Sequence, residues 1–127
     1  MFKRIDHVEL VPSQFDVTLE FYTGVLGFKE RERISIEGHP PLRQVAYLEL
    51  GGTVLELLDF QDPEPWAGPA PRVGYRMLAL EVDSMDDALA YLENHGIRPT
   101  LGPFDAGGSL RAEINDPDGL PIELRQW

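Results

Sequence analysis

The chain has 127 residues and a mass of 14.3 kDa, the size of one domain and enough to bury a core. Its formal charge of −11 and pI near 4.5 argue against nucleic acid as a partner, because affinity for phosphate backbones comes from cationic side chains. The absence of cysteine removes disulfides, thiolate nucleophiles and thiolate-bound zinc. No apolar run approaches the roughly eighteen residues that would span a membrane. The segment from Met1 to His7 lacks the apolar stretch of a secretory signal, so a cytoplasmic address is the expectation.

From Ile5 to Val11 the residues alternate as in a half-buried strand, with Val8 and Leu10 on one face and Ile5, His7 and Glu9 on the other. Phe15, Leu19, Tyr22 and Leu26 recur at helical spacing, with Ser13 as the expected N-cap and Gly27 as the stop. Three strands are predicted next, Glu30 to Ile36, Val45 to Leu50 and Thr53 to Phe60, and Gly51-Gly52 supplies the tight turn between the last two. The stretch from Gln61 to Arg72 holds Pro63, Pro65, Pro69 and Pro71, which excludes helix and central strand.

After that linker the pattern starts again. Met77 to Val82 alternates, Ser84 caps a helix from Met85 to Asn94, and Gly96 ends it. Ile97 to Leu101, Leu110 to Asn115 and Leu120 to Arg125 complete the set of strands, separated by Gly107-Gly108 and by Asp116-Pro117-Asp118-Gly119. An offset of 70 carries His7 onto Met77, Phe15 onto Met85, Leu19 onto Leu89 and Tyr22 onto Leu92, and an offset of 67 carries Glu56 onto Glu123. The chain is therefore a duplicated β-α-β-β-β unit, α+β in class, with half-units 1–62 and 75–127 joined by a proline-rich linker, 63–74, within one domain. The two helices are expected to bury Leu19, Tyr22, Leu89 and Leu92 against Val8, Leu10, Leu78 and Leu80.

A duplicated unit of this kind resembles the vicinal oxygen chelate superfamily. The features that carry the resemblance are Asp6-His7-Val8 in the first strand, Phe21-Tyr22 through Leu26-Gly27-Phe28, Val54-Leu55-Glu56-Leu57, and the C-terminal Asp116-Pro117-Asp118-Gly119 turn leading into Ile122-Glu123-Leu124. That superfamily includes glyoxalase I, methylmalonyl-CoA epimerase, extradiol dioxygenases and the bleomycin and fosfomycin resistance proteins. The resemblance implies a curved eight-stranded cup, completed within one chain or across two, and commonly a homodimer.

Carried over residue by residue, the family's metal positions fall on His7, Glu56, Met77 and Glu123. Met77 departs from the pattern, which has a histidine there. The remaining three each lie in a strand whose apolar neighbours point to the opposite face, so each is a polar group on the face away from the helices. One imidazole and two carboxylates suit a divalent zinc, nickel, manganese or cobalt ion. Arg43, Arg76 and Arg111 are positioned in or beside strands and are candidates to meet an anionic substrate through bidentate hydrogen bonds, with Met77 as a further substrate contact. Glu9, Glu49 and Glu113 are expected at the surface, and His39 and His95 outside the chemistry.

The function implied is a small-molecule lyase or isomerase of glyoxalase or epimerase type, in which a divalent metal stabilises an enediolate while Glu123, or failing it Glu56, moves the proton. An iron dioxygenase fits less well, since it wants two histidines and Met77 stands at the second. The alternative is a metal-free protein that sequesters a ligand, as the bleomycin resistance proteins do.

Overall fold

A computed structural model describes residues 1–127. The chain divides into two compact units, Met1–Pro65 and Trp66–Trp127, and the division falls inside the proline-rich stretch. No helix or strand lies between Phe60 and Leu78, as the prolines require. No helix is long and apolar enough to cross a membrane.

The first unit contains β1 (Val8–Leu10), α1 (Phe15–Glu20), β2 (Lys29–Ser35), β3 (Leu42–Leu50) and β4 (Thr53–Phe60). Its sheet has the order β1-β4-β3-β2, with β1 parallel to β4 and the other pairs antiparallel. The second unit contains β5 (Leu78–Glu81), α2 (Met85–Asn94), β6 (Leu101–Asp105), β7 (Leu110–Asn115) and β8 (Pro121–Gln126), in the matching order β5-β8-β7-β6. The duplication holds at the level of register. Val8 pairs with Leu55 in the first unit, and their counterparts Leu78 and Ile122 pair in the second.

Each sheet buries one face under its helix. In the first unit Ala46, Leu48, Leu55 and Leu57 are almost wholly buried, α1 packs on β4, and Phe15, Phe21, Tyr22 and Phe28 fill the layer between. In the second, Ala112, Ile114, Ile122 and Leu124 form the equivalent face, with Met85 and Leu92 of α2 above β8. Tyr22 and Leu92 are buried as expected, whereas Leu19 and Leu89 are only partly covered. Val8 is 44% exposed, because β1 is an outer strand and the helix sits over β4 instead.

Three local expectations are corrected. The N-cap position of the first helix falls on Gln14 rather than Ser13, and the Gln14 side chain makes no capping bond. The predicted helix through Leu26 also changes pitch, with a π-helical turn over Phe21–Val25 in which the Leu26 N–H bonds the Phe21 carbonyl. The Thr23 hydroxyl takes the Leu19 carbonyl at 2.7 Å, a back-bond that competes with the α-helical ladder there. The strand predicted at Ile97–Leu101 lies instead at Leu101–Asp105, since the N–H of Ile97 is spent on the Leu92 carbonyl in closing α2. The second helix keeps its predicted bounds and cap, Ser84 Oγ accepting from the Asp87 N–H at 3.2 Å.

Candidate metal centre

The strand period of two places Glu56 and Leu58 on the face of β4 opposite Leu55 and Leu57. Sheet register then decides what Glu56 meets. Glu9 of β1 pairs with it on one side and Tyr47 of β3 on the other, and Glu32 of β2 pairs with Tyr47, so one row of Glu9, Glu56, Tyr47 and Glu32 crosses the whole sheet. His7, just before β1, reaches over this row. Its Nε2 lies 3.0 Å from Glu56 Oε2 and 3.7 Å from Glu9 Oε1, and its ring meets that of Tyr47 edge to face at 6.2 Å.

His7 Nδ1 is held by Asp6 Oδ2 at 3.0 Å, which leaves Nε2 as the nitrogen turned toward the carboxylates. The Asp6 hydrogen bond raises the pKa of His7; burial works against it, and the charges of Glu56, Asp6 and Glu9 add to the rise. Tyr47 bonds to Glu56, and that bond, with burial and the charges of Glu56, Glu32 and Glu9, pushes its hydroxyl above the ordinary tyrosine value. Glu56 itself is 6% exposed.

The donor set suits a divalent ion. One donor atom each from His7, Glu9 and Glu56 lies within 4.8 Å of the others. Two donors each about 2.0–2.2 Å from one zinc ion can stand up to about 4.4 Å apart, so the His7 separations match without rearrangement. A neutral imidazole carrying its proton on Nδ1 presents a lone pair to Glu56, and a cation or a second proton must lie between them. Asp6, His7 and the space beyond form the carboxylate–histidine arrangement that orients a metal ligand. Glu9, expected as a surface residue, is exposed but belongs to this group; parallel pairing with β4 was the missing information.

The remaining sequence candidates have partners of their own. Glu123 belongs to the second unit, where β8 pairs it with Glu113 of β7 and with Ala79 of β5, the counterpart of Glu9. Arg125 Nε donates to Glu123 Oε1 at 2.7 Å, and Arg111 Nε stands 2.9 Å from Glu123 Oε2. Arg111 also donates to Glu113, which is buried rather than at the surface, because this arginine neutralises it. Met77 is half-buried, its sulfur accepting from Arg76 at 3.6 Å. Arg43 donates to Asp59 at 2.8 Å beside Gln44, which also bonds Asp59. The Gln44–Asp59 pair shares the helix-side face with Ala46 and Leu57, so Arg43 stands apart from the His7 row. There it helps line an open polar pocket with Ser13, Gln14 and Ser35.

Sheet order and the duplicated unit agree with comparison with known proteins: residues 4–124 match the model of the Glyoxalase/Bleomycin resistance protein/Dioxygenase superfamily, and the chain belongs to that family. Among its relatives, the protein YaeR of Escherichia coli (strain K12) is 32% identical over 123 residues, covering 96% of this chain and 95% of its own. A lactoylglutathione lyase of Neisseria meningitidis serogroup A is 34% identical over 128 residues, covering 97% and 90%. The solved structure of a glyoxalase family protein from Enterococcus faecalis superposes with a TM-score of 0.82 at 30% identity, covering 98% of each chain.

Proposed function

We propose that the chain is a small-molecule enzyme of glyoxalase type, a lyase or isomerase acting on a carbon acid next to a carbonyl. The observation that carries this reading is the convergence of His7 and Glu56 at 3.0 Å with Glu9 beside them. These three would hold a divalent ion, zinc, nickel, manganese or cobalt, and leave the rest of its coordination shell open. Such an ion supplies positive charge that acidifies a proton next to a carbonyl.

The protein's own groups then divide the work. Asp6 fixes the tautomer of His7 through Nδ1, and Tyr47 fixes the Glu56 carboxylate through its hydroxyl. Glu123, gripped by Arg111 and Arg125, is the positioned carboxylate assigned to proton transfer, with Glu56 second. A homodimer belongs to this reading. β1 and β5 are outer strands of their sheets, and Phe2, Ile5, Val73, Tyr75 and Trp127 are largely or wholly exposed, apolar surface that a second copy would cover.

The test is titration of chelator-treated protein with zinc, nickel, manganese and cobalt, followed by assay of the loaded protein with lactoylglutathione. Tight binding lost in the His7→Ala, Glu56→Gln double variant supports the metal site, and turnover lost in Glu123→Gln supports the base. Equal, weak binding by wild type and double variant rejects the reading in favour of a metal-free ligand-sequestering protein, the alternative favoured by Met77 at the family's fourth metal position.

A further inference from the structure

The helix-side face of the first sheet continues past its apolar rows. Leu48 with Leu55 and Ala46 with Leu57 are buried there, but the next row along the strands is Ser35, Gln44 and Asp59, one residue from each of β2, β3 and β4. Ser35, Gln44 and Asp59 line an open cavity of about 740 Å³, together with Arg43 and with Ser13 to Val17, where the chain enters α1. Every lining residue belongs to the first unit, and Asp59, three positions on from Glu56, faces the opposite side of the sheet. Small-molecule sites typically enclose roughly 300–1,000 Å³, so the cavity has the size of one.

A β-bulge builds its floor. The register passes from Leu42–Phe60 to Gln44–Asp59, so Arg43 is an extra residue on β3, and both Arg43 and Gln44 oppose Asp59. Each takes one carboxylate oxygen: Arg43 Nη2 donates to Oδ1 at 2.8 Å and Gln44 Nε2 to Oδ2 at 3.0 Å. Bulges re-aim side chains in this way next to functional sites. Asp59 is only 7% exposed, and a buried ion pair is a weak source of stability beside an apolar residue of similar volume. Core packing therefore gives no reason for this carboxylate, whereas the positioning of Arg43 and Gln44 does.

The groups left over define the ligand. Arg43 Nε and Nη1 are donors, Gln44 Oε1 is an acceptor and the Ser35 hydroxyl is both, and none of them bonds within the chain. Asp16 and Asp59 line the cavity against one guanidinium, a balance that disfavours an anion, while the guanidinium disfavours a cation at the floor. Phe15 and Val17 add an apolar side. We propose that this cavity binds an uncharged ligand with neighbouring hydroxyl groups, a sugar or polyol, its hydroxyls on Arg43, Gln44 and Ser35 and its C–H face toward Phe15 and Val17. The site depends neither on a metal at His7 nor on Glu123, so its failure and that of the glyoxalase-type reading are separate results.

The test uses the uniformly 15N-labelled full chain, treated with chelator and titrated separately with ribose, glucose, inorganic phosphate and acetate at constant ionic strength. The expected result is saturable shifts of the Gln44 side-chain amide and of the Ser35 and Arg43 backbone amides with ribose or glucose, and none there with phosphate or acetate. Ser35→Ala, at an exposed position, should weaken that binding about two- to tenfold, the range for one neutral hydrogen bond, and Arg43→Gln at least about tenfold. Should Arg43→Gln lose its fold, seen as collapse of its amide spectrum, Ser35→Ala decides alone. No saturable shift with either sugar, shifts confined to residues outside the cavity, saturable shifts at these residues with phosphate or acetate, or unchanged affinity in Ser35→Ala each overturn the proposal.

Discussion

Asp6→Asn isolates the contribution of one hydrogen bond to metal binding. The change keeps size and keeps an acceptor for His7 Nδ1–H at the 3.0 Å position, but removes the charge that raises the basicity of the ring. Partners that orient a ligating histidine are worth about 10- to 100-fold in metal affinity. The side chain of Asp6 is 75% exposed and already paired with Arg4 at 3.1 Å, so solvent and that cation screen it, and the low end applies. The expected loss is about tenfold in zinc affinity, measured by competition with a chromophoric chelator. If Asp6 acts only through His7, the same change made in a His7→Ala background should add nothing beyond about twofold. A change under twofold in the wild-type background, or an equal loss in both backgrounds, would refute the assigned role.

In metal-free protein His7 should titrate above the ordinary histidine value of about 6.5, followed by its ring proton signals, and Glu56→Gln should bring it down. The sign for stability follows: the contribution of protonated His7 is complete below about 6.5 and is lost as pH rises through the raised value, so the melting temperature of metal-free wild type, but not of His7→Gln, should carry that component. Leu57→Ala removes a side chain with no exposure at the centre of the first sheet and should cost about 2–5 kcal/mol in denaturant unfolding; a loss under about 0.5 would contradict the packing of α1 on β4. Ser84→Ala should cost about 0.5–2 kcal/mol through the lost cap on α2, with no effect on metal binding. Light scattering should report about twice the 14.3 kDa chain mass, and a monomer at micromolar concentration would reject the dimer.

What was legible in the sequence was whatever depends on near neighbours along the chain. The duplication showed because His7 and Met77, or Glu56 and Glu123, keep their place in repeated local patterns. The faces of β4 and β8 showed because side chains alternate with a period of two, which put Glu56 and Glu123 opposite the apolar residues beside them. The cap at Ser84 showed for the same reason, while Ser13 misled because capping depends on where the first turn starts.

Partners across strands were set by tertiary register. Only the parallel pairing of β1 with β4 brings Glu9 to Glu56, and only the antiparallel pairing of β7 with β8 lays Arg111 across from Arg125 and Glu113 across from Glu123. These residues are separated by many positions in the chain, and a slip of one residue would send each to the opposite face. Burial of one face under a helix pins that register, so the apolar core, rather than the polar groups themselves, decides which charges meet.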